Sequence, residues 1–231
     1  MPGDADLARL GSLLADRTRA TMLLVLLAGR PQSASALASA AGVSASLASA
    51  HLRKLVEGGL IVVEPVGRHR LFRLANAVAD ALEGLLLLAP EGSVRSLRGA
   101  VYGRNLRRAR LCYDHLAGTV GVAVSEAMLR RGLLAECPDG YAVTEGGAAG
   151  LRERGVEVAR LERLRRPLAR PCMDWSERRN HLAGSLGAAL MSRFLELRWL
   201  RPHEASRVVS LTAEGRRGLR DWLEIEIEET A

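Results

Sequence analysis

Residues 34–59 read Ala34-Ser-Ala-Leu-Ala-Ser-Ala-Ala-Gly42-Val43-Ser44-Ala-Ser-Leu-Ala-Ser-Ala-His-Leu-Arg-Lys-Leu-Val-Glu57-Gly58-Gly59, and this stretch decides the fold. A short helix is expected over Ser35–Ala40 and a tight turn at Ala41-Gly42-Val43. A longer helix should run from Ser44 to about Glu57. Ser44 offers a side-chain oxygen to the unpaired amides of a helix start, and Gly58-Gly59 suits a helix end. This is helix-turn-helix spacing.

Upstream, Leu7, Leu10, Leu13 and Leu14 recur at helical spacing, and Asp16 is a natural cap for a second helix running to Ala28, stopped by Gly29-Arg30-Pro31. Downstream, Leu60–Pro65 and His69–Leu74 are short β-type runs flanking Gly67-Arg68, which reads as a hairpin, the wing. A further apolar helix is expected over Ala75–Ala89, and Pro90-Glu-Gly92 marks a domain boundary. The reading is therefore a mainly α chain with short β-hairpins. A winged helix-turn-helix with dimerisation helices occupies 1–91, and a separate C-terminal half occupies 92–231.

On the Ser44–Glu57 helix, Leu47, Leu52, Leu55 and Val56 are assigned to an inward stripe, and Ser46, Ser49, Ala50 and Arg53 to the opposite face. Small hydroxyls and one arginine suit the base edges of a DNA major groove, where arginine pairs with guanine. Lys54 and the helix start at Ser44 suit phosphates, which position a protein without specifying sequence. In the wing, Arg68, His69 and Arg70 reach for the adjacent backbone or minor groove. His51 reads as a half-buried hydrogen-bonder. The plain alternative, a polar face that only meets solvent, loses weight because turn, helix and basic hairpin occur together.

Leu14-Ala-Asp-Arg-Thr-Arg19, Leu37-Ala38, Gly42-Val43-Ser44, Ser49 with His51-Leu52 and Leu55, Gly59-Leu60, and Gly67-Arg68 with Phe72-Arg73-Leu74 together resemble the ArsR family of winged-helix repressors, over residues 5–89. The resemblance implies a ligand-controlled repressor, often a metal sensor. Its metal ligands would sit on the helix before the recognition helix or on the helix after the wing. This sequence departs from both patterns: Ala34–Ala40 has no thiol, and Ala75–Ala89 offers Asp80 and Glu83 but no histidine. Surplus leucines at Leu7, Leu10, Leu14, Leu82 and Leu85–Leu88 fit a dimer reading a palindromic operator.

The C-terminal half repeats itself. Arg110-Leu-Cys112-Tyr-Asp114 matches Arg170-Pro-Cys172-Met-Asp174, and His115-Leu-Ala-Gly118 matches His181-Leu-Ala-Gly184. Gly121 answers Gly187, Thr144 with Gly147 answers Thr212 with Gly215, and Leu151 answers Leu219. Two related helix-strand-strand-helix units, packed as a pseudo-symmetric pair, are expected. Cys112, His115, Cys172 and His181 supply two thiols and two imidazoles, the donor set of a tetrahedral zinc-like transition metal, with Asp114 and Asp174 as further ligands or as orienters of the histidines. Three other readings stay open. Arg110 and Arg170 could activate the thiols toward oxidation, or bind an anionic small-molecule effector. Alternatively, Cys, Asp and His serve packing alone.

A net charge of +7 permits a polyanion partner such as double-stranded DNA. With 48% hydrophobic but only 3% aromatic residues, the core is expected to be packed by aliphatic helices. No apolar run approaches membrane-spanning length, and no signal peptide opens the chain, so a cytoplasmic, non-membrane protein is expected. Three cysteines then read as thiols or ligands more readily than as disulfides. No phosphate loop, nucleophile elbow or HExxH pattern occurs, so no enzyme is expected. A cysteine-dependent enzyme and a protein-interaction adaptor on a winged-helix scaffold are the competing classes.

Overall fold

The computed structural model describes residues 4–67, 69–75, 77–90, 92, 96–204 and 206–228. The chain divides into two compact units, residues 1–83 with 204–207, and residues 84–203 with 208–231. Among the described residues no helix is long and apolar enough to cross a membrane.

The N-terminal elements are α1 (Leu7–Leu14), α2 (Arg17–Leu26), β1 (Gln32–Ser33), α3 (Ala34–Ala41), α4 (Ala45–Glu57), β2 (Ile61–Val66), β3 (His69–Leu74) and α5 (Val78–Leu86). Their boundaries follow from local chemistry. The Asp16 carboxylate accepts the Arg19 amide, and the Ser33 and Ser44 hydroxyls accept those of Ala36 and Leu47. Gly42 closes α3 in the left-handed conformation at φ +66°, where a side chain would be strained. Strands β2 and β3 form the wing in antiparallel register, Ile61 opposite Leu74 through Val66 opposite His69, and β1 adds to the far edge of β3. Met22, Leu23, Leu26, Leu37, Leu52, Leu55, Ile61 and Leu74 form the buried core.

One assignment on α4 is corrected. Leu47 and Val56 are 47% and 37% exposed, and the buried stripe is Ala48, Leu52 and Leu55. At 100° per residue these three stand at i, i+4 and i+7, and the two larger residues lie about 80–100° to either side. Angle decided burial, and the small Ala48 was the core position.

The second unit contains α6 (Leu97–Arg108), β4 (Arg110–Cys112), β5 (His115–Ala117), α7 (Gly118–Arg130), β6 (Leu134–Cys137), β7 (Gly140–Val143) and α8 (Glu145–Glu153). It continues with α9 (Val158–Leu161), β8 (Arg170–Met173), β9 (Asn180–Ala183), α10 (Gly184–Glu196), β10 (Leu200–Pro202), β11 (Val209–Leu211) and α11 (Ala213–Leu223). The expected helix-strand-strand-helix units are present as α7-β6-β7-α8 and α10-β10-β11-α11. Thr144 caps α8 through the Gly147 amide, and Thr212 caps α11 through Gly215 in the same way. Each unit is preceded by one more hairpin, β4-β5 or β8-β9, that the repeat reading did not separate from its neighbours.

Packing within this unit is exchanged between the copies: α7 lies on β9, and α10 lies on β5. Glycines make the approach possible. A Cβ on Gly121 would come within 2.5 Å of the Leu116 carbonyl oxygen and 3.6 Å of His181 Cβ. On Gly187 it would meet the Leu182 oxygen at 2.5 Å and His115 Cβ at 3.2 Å. Trp199 and Trp222 pack against Phe194 in the core. Trp175 instead lies under the guanidinium of Arg110, whose Cζ is 4.5 Å from the Trp175 ring centre.

Candidate DNA-reading face and thiol-imidazole centre

Helix α4 presents Ser44, Ser46, Ser49, Arg53 and Lys54 to solvent, with Ala50 half-buried beside them. Two of the hydroxyls already have local work: Ser44 caps the helix, and Ser49 Oγ donates to the Ala45 carbonyl at 2.9 Å. Leu47 shares the solvent side, an apolar group the sequence reading had sent inward. His69 and Arg70 are exposed on β3, and Arg68 lies outside the described residues. His51 is half-buried, its Nδ1 3.5 Å from an Asp16 carboxylate oxygen, an edge-of-core position in keeping with its expected role.

In the second unit, antiparallel pairing sets Cys112 directly opposite His115 on β4-β5, and Cys172 opposite His181 on β8-β9. The two hairpins meet, and the four donor atoms lie within 4.8 Å of one another. The sulfurs are 3.9 Å apart, and the two histidine Nε2 atoms 3.2 Å. Cys112, His115 and His181 are buried and Cys172 is partly so.

The aspartates stand behind the histidines. His115 Nδ1 is hydrogen-bonded to Asp114 Oδ1 at 3.2 Å, and Asp174 Oδ2 lies 3.2 Å from His181 Nδ1, close enough to pair though not aligned for a full hydrogen bond. Asp174 is fully buried and accepts from Arg110 Nη2 at 2.8 Å, from the Gly118 amide at 2.7 Å and from the Ser176 amide and hydroxyl. Asp114 pairs with Arg166. Arg110 is itself fully buried, and its Nη1 donates to the Leu106 carbonyl and to Ser176. The sequence reading had offered Arg110 to an anionic ligand or to the thiols, but its guanidinium is engaged by Asp174, Ser176 and Trp175. The signal for this was Trp175 directly after the repeated Asp174. Cys137, the last residue of β6, is not one of the four grouped donors.

Electrostatics follow from these partners. Burial acts to raise the Asp174 carboxyl, yet His181, Arg110 and the Gly118 amide hold it well below the carboxylate range. For Asp114 burial is likewise outweighed, by His115 and Arg166, and the group is lowered to about 2. Burial disfavours charge on His181, but Asp174 and Cys172 raise its pKa. The Cys172 thiol is drawn below its ordinary range by Cys112 and, against burial, by His115 and His181.

Fold and reading face define a winged helix-turn-helix DNA-binding transcription regulator. A helix-turn-helix domain model matches residues 14–64. The chain is 40% identical over 223 residues to YdfF, an uncharacterized HTH-type transcriptional regulator of Bacillus subtilis, covering 96% of this chain and 99% of that one. It is 28% identical over 189 residues to the HTH-type transcriptional regulator Rv0324 of Mycobacterium tuberculosis, covering 67% and 83%. The solved cadmium metal-sensor CMTR of Mycobacterium tuberculosis shares 37% identity over 39% of this chain and 97% of its own, at a TM-score of 0.32. The chain belongs to the HTH-type transcriptional regulators.

Proposed function

We propose that the protein is a homodimeric repressor that reads a two-fold operator with α4 and the wing, and takes its control signal through the thiol-imidazole centre. Residues 1–91 would read DNA and pair the protomers, and residues 92–231 would sense. The observation that carries the DNA-reading part is the face of α4, where Ser46, Ser49, Arg53 and Lys54 stand exposed around Leu47, a side chain fit for a thymine methyl. Self-association is supported by uncovered leucines on α1 and at and after α5: Leu7 is 76% exposed, Leu85 43% and Leu88 82%. A second copy of the chain is the occupant that suits them, and two-fold symmetry places half-sites about one DNA turn or a multiple apart.

Binding to promoter DNA measured by fluorescence anisotropy tests the reading. Arg53→Ala should weaken operator binding by about 1–3 kcal/mol and relax sequence preference. Lys54→Ala and Arg70→Ala should weaken operator and random DNA alike and reduce the salt slope by about one. Unchanged preference in Arg53→Ala would remove α4 as the reader. A monomer in sedimentation velocity that binds one half-site would remove the dimer.

A further inference from the structure

We propose that Cys112, His115, Cys172 and His181 hold one zinc-class divalent cation in a closed tetrahedral site that clamps the two copies of the repeat together. The inference deepens the control reading above by naming what the centre takes, and it stands independently of how DNA is read.

Proton placement is the first ground. Each histidine turns Nδ1 toward a carboxylate, 3.2 Å away in both cases. A carboxylate beside Nδ1 selects the tautomer with the proton there, which leaves Nε2 with a bare lone pair. Those two Nε2 atoms face each other at 3.2 Å in the buried interior. With both imidazoles neutral, two lone pairs so placed repel, and a cation between them turns the repulsion into two bonds.

Geometry is the second. A regular tetrahedron with bonds of about 2.3 Å to sulfur and about 2.0–2.1 Å to nitrogen has edges of about 3.8 Å between sulfurs and about 3.3 Å between nitrogens. The corresponding separations here are 3.9 and 3.2 Å. Both hairpins achieve this alike, by setting Cys and His directly across a strand pair on one face.

Charge is the third. A divalent ion with two thiolates and two neutral imidazoles is neutral overall, and the nearby carboxylates are already matched, Asp174 by Arg110 and Asp114 by Arg166. A neutral centre is what a buried site tolerates. A disulfide accounts for less. It would draw the sulfurs together from 3.9 Å to the bonded distance of about 2.0 Å, but the imidazole lone pairs would still confront each other. With four protein donors the site has no open position, so it ties β4-β5 to β8-β9 and leaves no place for a substrate.

The full chain, purified under reductant, stripped with a chelator and titrated with Co(II) alone, tests the site. One Co(II) per chain is expected, with the intense visible bands of tetrahedral cobalt and a near-ultraviolet thiolate charge-transfer band, both erased by Zn(II). Cys112→Ser should abolish the spectrum and Cys137→Ser should leave it intact. Loss of a buried ligand can also unfold a protein, so His115→Cys is the second variant: it should keep tetrahedral bands while charge-transfer intensity rises from two thiolates toward three. Only weak octahedral bands would overturn the proposal, as would uptake that survives both Cys112→Ser and Cys172→Ser. A Cys112–Cys172 disulfide forming without any metal uptake would overturn it in favour of redox chemistry. Operator affinity separates the two levels. Tetrahedral uptake with equal affinity in stripped and loaded chain keeps the site and removes its role in control. A chain that answers another signal without taking up metal does the reverse.

Discussion

The hairpins β4-β5 and β8-β9 present the same cysteine and histidine on different supports. In the first, Tyr113 and Asp114 alone make the turn, with Tyr113 held at φ +58°, and the Asp114 side chain stays 27% exposed beside Arg166. In the second, residues 174–179 form a longer loop, and Asp174 at its start is wholly buried, bonded to Arg110 and to the Gly118 amide of the other copy. The pair of donors was kept while the structure behind it diverged. One aspartate became a joint between copies, and the other remained an adjustable neighbour of its histidine.

That contrast can be broken by substitution. Asp174→Ala leaves Arg110 charged, buried and without its carboxylate, and should cost about 3–5 kcal/mol in chemical denaturation; a loss no greater than that of Asp114→Ala would erase the distinction between the two supports. Gly121→Ala and Gly187→Ala each force a Cβ to 2.5 Å from a backbone oxygen, and each should cost about 1–3 kcal/mol. Similar losses are expected from these two because the packing is reciprocal, and a large inequality would mean that one copy carries most of it. Asp114→Ala should cost at most about 1 kcal/mol, since its partner Arg166 is 40% exposed. The smallest effect sharpens the comparison from the other side. Gly146 stands where the second copy has Glu214, it is exposed, and nothing lies within 4 Å of an added Cβ. Gly146→Glu should therefore raise thermal stability slightly, by about 0.5–1 kcal/mol, and a decrease would show that the copies differ at this helix start as well.

The winged helix was legible because its signals are local. Asp16 and Ser44 cap the helices they precede, and Gly42 and Gly67 both adopt the positive φ that their turns require. The donor quartet was legible as a repeat of residue types. Its hairpins were not, because three- and four-residue strands are too short to show a period of two. Leu47 and Val56 were misplaced because size was weighed before angle, although Ala48 is the residue that points inward. The burial of Arg110 was hidden for a different reason: a charged side chain becomes core only when a carboxylate, a hydroxyl and an indole ring converge on it from 64 to 66 residues further along the chain.

The exchange of helices between hairpins has a consequence for ancestry and for folding. Each copy buries its hairpin under the other copy's helix, which is the arrangement of a domain swap carried out inside one polypeptide. A chain with a single copy could satisfy that arrangement only by borrowing the same helix from a twin, so duplication and fusion would have turned an association between molecules into one between neighbours on a tether. The tether makes closure independent of concentration. It also frees each half to change on its own, as the two aspartates have done.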